Sequence, residues 1–265
     1  MKNMEIKKGQ WIVNQYNGNK FFIECDKIVN DEALFNNFKR NDMFCQIIGN
    51  DVRNINISNH LYERVKNTPI YKDIEKYKTN DIYGNPMKYS YDDIGTISPG
   101  TLYFMDVLND IINKFGDLNN FNIVELGSGY GGQAKIILDY GCKKYTCIDV
   151  KEPLSLCQKY LKLFNYNNVE FISTEEIDNI EFETKEYDLI ISNWCLSEFD
   201  NDGIEFYIEK IIKHVKKGYF LMNIWDEPRK NFLIDTISKY FSTVKVESES
   251  TKTNINQNFL LYVKK

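Results

Sequence analysis

The sequence predicts a doubly wound α/β fold, with a mostly parallel sheet of seven strands that ends in an antiparallel hairpin. Three observations indicate this class. Apolar strand segments alternate with helical segments from residue 121 onward, a glycine-rich turn follows the first of these strands, and the link between the last two strands is too short for a crossover helix. Residues 1–95 lack this alternation and are predicted to form a mainly helical extension or lid, which places the domain with the sheet at 96–265.

The pattern also predicts where each element lies. A helix begins at Ser98, which can cap free amides, followed by Pro99 at a position that suits proline, and it ends at Gly116. Later helices are expected at about 130–140, 153–164, 202–216 and 228–241. Strands are expected at about 121–126, 145–149, 169–172, 187–192, 218–224, 243–249 and 257–263.

The charge and cysteine patterns exclude several functional classes. The 265 residues include 33 Lys or Arg and 38 Asp or Glu, a net charge of −5, and the basic residues are scattered, so we expect no nucleic-acid partner. The six cysteines and two histidines show no close ligand pairs, so no metal is predicted. With no apolar leader and no apolar run of about 18 residues, we expect a cytoplasmic protein without a membrane span, in the host cytoplasm if the source is a virus or a parasite.

A glycine-rich turn follows the first predicted strand. This strand, Phe121–Leu126, runs into Gly127-Ser-Gly-Tyr-Gly-Gly132, which matches the pattern G-x-G-x-x-G shared by dinucleotide sites and sites for other cofactors. Glu125 narrows the choice, because a carboxylate two positions before the first glycine would repel a pyrophosphate. It would attract the ammonium and sulfonium groups of S-adenosylmethionine. The alternative is a solvated Glu125 beside an ordinary strand-to-helix turn.

Asp149 is the second acidic residue predicted at this edge of the sheet. It ends the second strand, where a carboxylate can accept hydrogen bonds from both ribose hydroxyls of an adenosine cofactor. The alternative is an N-cap for the helix that begins near Pro153. Together with Glu125 and the glycine-rich turn, Asp149 predicts a site for S-adenosylmethionine.

The next strands bring candidate substrate and catalytic residues to the same edge. Asn193 lacks the two following prolines of the motif found in nitrogen-directed methyltransferases, which favours an oxygen acceptor, and Trp194 could contact the cofactor, stack on a substrate ring or pack in the core. A hydroxyl acceptor must lose its proton, and Glu198 is the first candidate for the base and Asp226 the second, each with a solvated carboxylate as the alternative. His214 is rejected as the base, because it falls at a helix C-terminus.

Residues 121–263 resemble the class I S-adenosylmethionine-dependent methyltransferases, which have a Rossmann-like fold. The resemblance is carried by the closing hairpin and by three segments, namely Val124-Glu-Leu-Gly-Ser-Gly-Tyr-Gly-Gly132, Asp149 and Asp188-Leu-Ile-Ile-Ser-Asn193. Over about 95–225 the chain is also similar to the sugar O-methyltransferase family, in Ile97-Ser-Pro-Gly-Thr-Leu-Tyr103, Tyr130-Gly-Gly-Gln133, Ile148-Asp-Val-Lys-Glu-Pro153 and Ser192-Asn-Trp-Cys-Leu-Ser-Glu198. Gly100 and Trp194 depart from that family's expected residues, which puts acceptor contacts there in question.

The resemblance implies roles for individual residues. Glu125, Gly127 and Gly129 would contact the methionine part of the cofactor, with Ser128 and Asn193 also in the cofactor site. Asp149 would bind the ribose, and Thr174 or Glu175 would lie near the adenine. The residues predicted to contact the substrate are Tyr130, Trp194 and Trp225. The N-terminal region would cover the cofactor and shape the acceptor pocket.

These features together predict an enzyme that moves a methyl group from S-adenosylmethionine to a hydroxyl of a sugar or glycan, so the expected partner is a small-molecule or glycan substrate. One alternative is methylation of another acceptor, such as a protein or a metabolite. Another is a catalytically silent methyltransferase-like binding module. An NAD-dependent oxidoreductase is disfavoured by Glu125 and by the final hairpin. Whether the chain forms a homo-oligomer is left open by the sequence.

Overall fold

The computed structural model describes residues 18–42, 54–224, 226–249 and 258–265. Its helices are α1 (Gly18–Asn30), α2 (Glu32–Phe35), α3 (Ile55–Lys66), α4 (Ile74–Lys78), α5 (Pro99–Phe115), α6 (Gly132–Tyr140), α7 (Lys151–Lys162), α8 (Asn201–Lys210) and α9 (Glu227–Ser238). Its strands are β1 (Tyr89–Tyr91), β2 (Gly95–Ile97), β3 (Asn122–Leu126), β4 (Lys144–Asp149), β5 (Val169–Ser173), β6 (Leu189–Asn193), β7 (Lys217–Met222), β8 (Thr243–Ser248) and β9 (Phe259–Lys264).

The seven strands from β3 onward form one sheet in the order β5-β4-β3-β6-β7-β9-β8. Neighbouring strands from β5 to β7 are parallel, and β9 pairs antiparallel with both β7 and β8. The predicted fold class is therefore confirmed. Because β9 lies between β7 and β8, it is the one reversed strand of this sheet within the described residues.

Helices cover both faces of the sheet. Along β3, Ile123 lies in a core shared with α5, α6 and α7, whereas Val124 lies in a second core with α8 and α9. Side chains alternate between the two faces of a strand, so Glu125 is on the same face as Ile123. We call this side, covered by α5 to α7, the α5 face.

The N-terminal extension packs into the core of the α5 face. Its described part is mainly helical, as predicted, and Cys25, Phe38 and Tyr77 are buried there. The antiparallel hairpin of β1 and β2 was not predicted, because each strand has only three residues and no alternating pattern marks it. The domain boundary near residue 95 stays a prediction.

Of two helices predicted from the sequence, one is confirmed and the other is shorter in the structure. The helix from Ser98 is confirmed, since the Ser98 side chain accepts a hydrogen bond from the amide of Thr101 and Gly116 ends the helix at φ +86°. The helix predicted at about 202–216 ends earlier, because Ile211 leaves the helical region at φ −124° and a 3₁₀ turn, Ile212–His214, follows. No helix in the described residues is long and apolar enough to span a bilayer.

Candidate active site

The site lies where the strand order of the sheet reverses. β3 pairs with β4 on one side and with β6 on the other. From β3 the sheet first grows through β4 to β5, and then grows in the opposite direction through β6 and β7. In open α/β sheets, ligands bind beyond the carboxyl ends of the strands at such a point. The residues that follow β3, β4 and β6 therefore border the expected ligand site, and these include most of the residues singled out from the sequence.

The glycine-rich turn after β3 needs glycine for two different reasons. Gly127, Gly129 and Gly131 have φ values of +83°, +53° and +89°, a region that side chains disfavour. A Cβ atom at Gly131 would lie 2.8 Å from Sγ of Cys157 in α7, so Gly131 permits close helix packing. A Cβ atom at Gly129 would meet nothing within 4 Å. Gly129 thus borders open space into which a ligand can approach the backbone.

Asp149 connects the end of β4 to this turn. One carboxylate oxygen accepts a hydrogen bond of 2.8 Å from the amide of Gly129, and the other accepts one of 2.8 Å from the amide of Val150. Burial raises the pKa of Asp149 to about 7, although the two amides act in the opposite direction. The N-cap residue of α7 is Val150, which makes no side-chain capping hydrogen bond. Asp149 is therefore not the N-cap of this helix.

Glu125 is buried on the α5 face and does not point to bulk water. Its side chain accepts a hydrogen bond of 2.9 Å from the hydroxyl of Tyr145 and is 2% exposed. Burial raises the pKa of Glu125 to about 8, the Tyr145 hydrogen bond lowers it, and the charge of Asp149 raises it further. Two neighbouring carboxyl groups are thus held where a cation would favour their ionised forms.

Among the described residues, the end of β6 has an unsatisfied acceptor at Asn193 and a strained backbone at the next residue, Trp194. Asn193 lies on the α5 face, two residues beyond Ile191, and its amide oxygen is buried without a hydrogen-bond partner in the described part of the chain. Trp194 has φ +69°, unusual for a bulky residue and commonest at functional sites. Its indole N–H donates a hydrogen bond of 3.2 Å to the hydroxyl of Tyr103 in α5. The hydroxyl of Ser128 is also buried and has no partner in the described ranges.

The two candidate bases have different surroundings. Glu198 ends a 3₁₀ turn after β6, and desolvation raises its pKa while Arg229 and a hydrogen bond from Asn223 oppose that shift. Asp226 is exposed and accepts a hydrogen bond of 3.3 Å from the amide of Arg229, as the N-cap of α9. Glu198 is exposed as well, and the observed contact of Asp226 is that of a helix cap. Which of the two residues is the base stays a prediction.

The remaining predicted residues lie in several environments. The amide of Thr174 donates to the carbonyl of Asp149 at 3.0 Å, so Thr174 is next to the site, and Glu175 is exposed beside it. The ring of Tyr130 is buried in an aromatic cluster, away from solvent. Trp225 lies outside the described residues. None of these placements tests the predicted roles, which stay predictions.

Sequence reasoning gave no role to three residues at the site. Tyr103 and Tyr145 contact Trp194 and Glu125, and Arg229 binds the backbone carbonyls of Ser197 and Phe199. Tyr103 belongs to a segment that carries the family resemblance, which was the one available signal for it. Tyr145 and Arg229 are recognisable only from the folded contacts.

Comparisons with known proteins agree with this geometry at the level of class. Residues 123–218, over a third of the chain, match the model of a methyltransferase domain family. This segment contains the glycine-rich turn, Asp149 and Asn193. A search of curated proteins finds no match.

Several solved structures are similar to part of this chain at low identity. Protein 1320 of Thermoplasma acidophilum is 15% identical with a TM-score of 0.46, and the match covers 62% of this chain and 89% of that one. An S-adenosylmethionine-dependent methyltransferase of Mesorhizobium loti is 10% identical (TM-score 0.45, 59% and 96% covered). An rRNA methylase of Streptococcus thermophilus is 15% identical (TM-score 0.44, 61% and 95% covered). The fold assignment itself rests on the strand order described above.

Proposed function

We propose that this protein is an S-adenosylmethionine-dependent methyltransferase that acts on a hydroxyl of a sugar or glycan. One observation carries the choice of cofactor. Asp149 is hydrogen-bonded to Gly129, where the backbone borders open space, and Glu125 is buried close enough for the charge of Asp149 to act on it. Their pKa values are raised to about 7 and about 8. A cationic ligand would compensate both carboxylates, whereas the pyrophosphate of a dinucleotide would add negative charge next to them.

The residues at the switch point fit S-adenosylmethionine in charge and in shape. Glu125 would accept hydrogen bonds from the methionine ammonium, and the free lone pairs of Asp149 would accept them from the ribose hydroxyls. Gly129 allows the cofactor to approach the backbone, and Ser128 offers a hydroxyl with no partner in the described ranges. When bound, the cofactor supplies a methyl group activated by its sulfonium. The protein's part is then to position the acceptor and to hold its proton.

The proposed oxygen acceptor is supported by polar atoms near Trp194. The Tyr103 hydroxyl accepts a hydrogen bond from the indole of Trp194 and has a proton of its own to donate. The amide oxygen of Asn193, which precedes Trp194, is a buried acceptor without a donor within the described residues. A substrate hydroxyl would accept a hydrogen bond from Tyr103 and keep its single proton for the base, while the Asn193 oxygen would accept from the cofactor. Glu198, with its raised pKa, is proposed as the base.

A sugar is proposed because of the family resemblance and because half-buried Trp194 offers an aromatic surface to a ring. The test is transfer of radiolabelled methyl groups from S-adenosylmethionine to separate sets of sugars, peptides and small metabolites. The proposal expects label in the carbohydrate set. Label in peptide alone would reject the sugar, binding without turnover on any set would indicate a silent module, and binding of NAD alone would indicate an oxidoreductase.

A further inference from the structure

The glycine-rich turn is anchored through the side chain of Tyr130. The ring of Tyr130 lies 5.2 Å from Phe38, 6.2 Å from Phe104 and 5.3 Å from Tyr160, measured between ring centroids. Phe38 belongs to the N-terminal extension, Phe104 to α5 and Tyr160 to α7. We call these four rings the Tyr130 cluster. Ser128, the other residue of the turn with a side chain, has no hydrogen-bond partner for its hydroxyl in the described residues.

Lys39, next to Phe38 in the N-terminal extension, places its ammonium against this cluster. The Nζ atom lies 5.0 Å from the ring centroid of Tyr130 and 4.6 Å from that of Tyr160, within the range of cation–π attraction. The same atom donates hydrogen bonds of 2.5 Å to the carbonyl of Asn80 and 3.1 Å to the hydroxyl of Tyr160. Lys39 therefore connects the extension, α7 and the ring of Tyr130.

Removal from water opposes the charge of Lys39. Removal from water lowers the pKa of Lys39 to about 7, and Lys135 and Lys88 lower it as well, against the opposite effect of Asp81. The folded state thus disfavours the ammonium. The Asn80 carbonyl depends on the ammonium, because the single proton of the Tyr160 hydroxyl is shared with the closer side-chain oxygen of Asn80 at 2.7 Å. Loss of the ammonium would therefore leave a buried carbonyl short of a donor, at a cost in stability.

We infer that Lys39 is a positioning residue for the cofactor, which holds the ring of Tyr130 and thereby the glycine-rich turn in the binding geometry. This inference rests on the proposed function. Tyr130 stands between Gly129 and Gly131, two flexible positions, so its ring is the point from which the turn can be fixed. The N-terminal extension thus contributes to the cofactor site indirectly, through the ring of Tyr130.

The test compares Lys39→Met with a matched control, Lys159→Met, in the full chain. Lys159 also joins the extension to α7, with its Nζ 4.4 Å from the ring of Phe35 and 2.9 Å from the carbonyl of Val29, and Phe35 stacks on Phe38 at 5.6 Å, one ring further from Tyr130. Calorimetry gives the Kd for S-adenosylmethionine, and thermal unfolding gives the Tm. A third variant, Lys39→Arg, keeps the cation.

Both Met variants lose a hydrogen bond to a backbone carbonyl, so we expect a similar fall in Tm in each. Only Lys39→Met should raise the Kd, by roughly tenfold, with Lys39→Arg restoring most of the affinity and Lys159→Met staying within about twofold of the wild type. An unchanged Kd in Lys39→Met, or an equal rise in Lys159→Met, would overturn the inference while the proposed function stands. A wild-type chain that binds no S-adenosylmethionine would overturn both.

Discussion

A carboxylate oxygen of Asp149 accepts a 2.8 Å hydrogen bond from the backbone amide of Gly129. This contact joins the end of β4 to the turn after β3, on one side of the point where the strand order reverses. The carboxylate therefore helps to order the turn before any ligand binds. Because each carboxylate oxygen has two lone pairs and uses one of them here, Asp149 can still accept hydrogen bonds from a ligand.

Replacement of Asp149 by alanine is expected to weaken the binding of S-adenosylmethionine by about 1–3 kcal/mol, through the loss of charge-assisted hydrogen bonds. Calorimetry measures this directly. Glu152→Gln is the matched control, since Glu152 affects Asp149 through its charge alone and its loss should change the Kd by less than about twofold. Unchanged affinity in Asp149→Ala would remove Asp149 from the site.

Gly129→Ala should reduce affinity for the cofactor more than it reduces stability. The new methyl group has room in the ligand-free protein, so the folding cost is about 1–2 kcal/mol from the positive φ. Gly95→Ala is the control, because Gly95 has φ +70° and also has nothing within 4 Å of a Cβ atom, yet lies in β2. Both variants should lose similar stability on chemical denaturation. If they also bind S-adenosylmethionine equally well, the space at Gly129 is not part of the site.

Stability should depend on pH through Glu125. Its pKa is raised from 4.5 to about 8, so between these values the folded protein binds more protons than the unfolded chain, and stability falls as the pH rises. Glu125→Gln lacks this titration. We therefore expect the free energy of unfolding of the variant, relative to that of the wild type, to be higher at about pH 8.5 than at about pH 5 when both are measured by urea unfolding. If the difference in free energy of unfolding between variant and wild type is the same at both pH values, burial does not raise the pKa of Glu125.

Glu198→Gln should lower turnover while it leaves the Kd for S-adenosylmethionine within about twofold, because the base acts on the acceptor. Asp226→Asn should lose little, as asparagine is also a good N-cap. Both rates are measured as total methyl transfer to whichever acceptor set is labelled by the wild type. Equal turnover in Glu198→Gln, or a loss only in Asp226→Asn, would reverse the assignment of the base.

The order of strands and helices around the site could be predicted because the local patterns are strong. Each parallel strand from β3 to β7 is a short apolar run, and Gly127, Gly129 and Asp149 stand at strand ends where sequence position alone indicates the edge of the sheet. The closing hairpin followed from the short link before β9. These features could be predicted because they depend on residues that are close together in the sequence.

The contacts that complete the site depend on residues far apart in the sequence. Tyr103 meets Trp194, and Lys39 meets Tyr130, only after α5 and the extension pack on the sheet. Tyr130 was predicted from the family resemblance to contact substrate, which stays a prediction, and the burial of its ring among aromatic side chains has no signal in the turn itself. Burial of Glu125 beside Tyr145 likewise has no signal in the local pattern.

Calorimetric titration with S-adenosylmethionine at about pH 6 and about pH 7.5, in buffers of different ionisation enthalpy, tests the central claim most directly. The claim is that two buried carboxyl groups, Glu125 and Asp149, hold a cationic nucleoside. We therefore expect tighter binding at the higher pH, release of protons on binding at the lower pH, and a smaller proton release in Glu125→Gln. Binding that is independent of pH and releases no protons, or preferential binding of NAD, would contradict it.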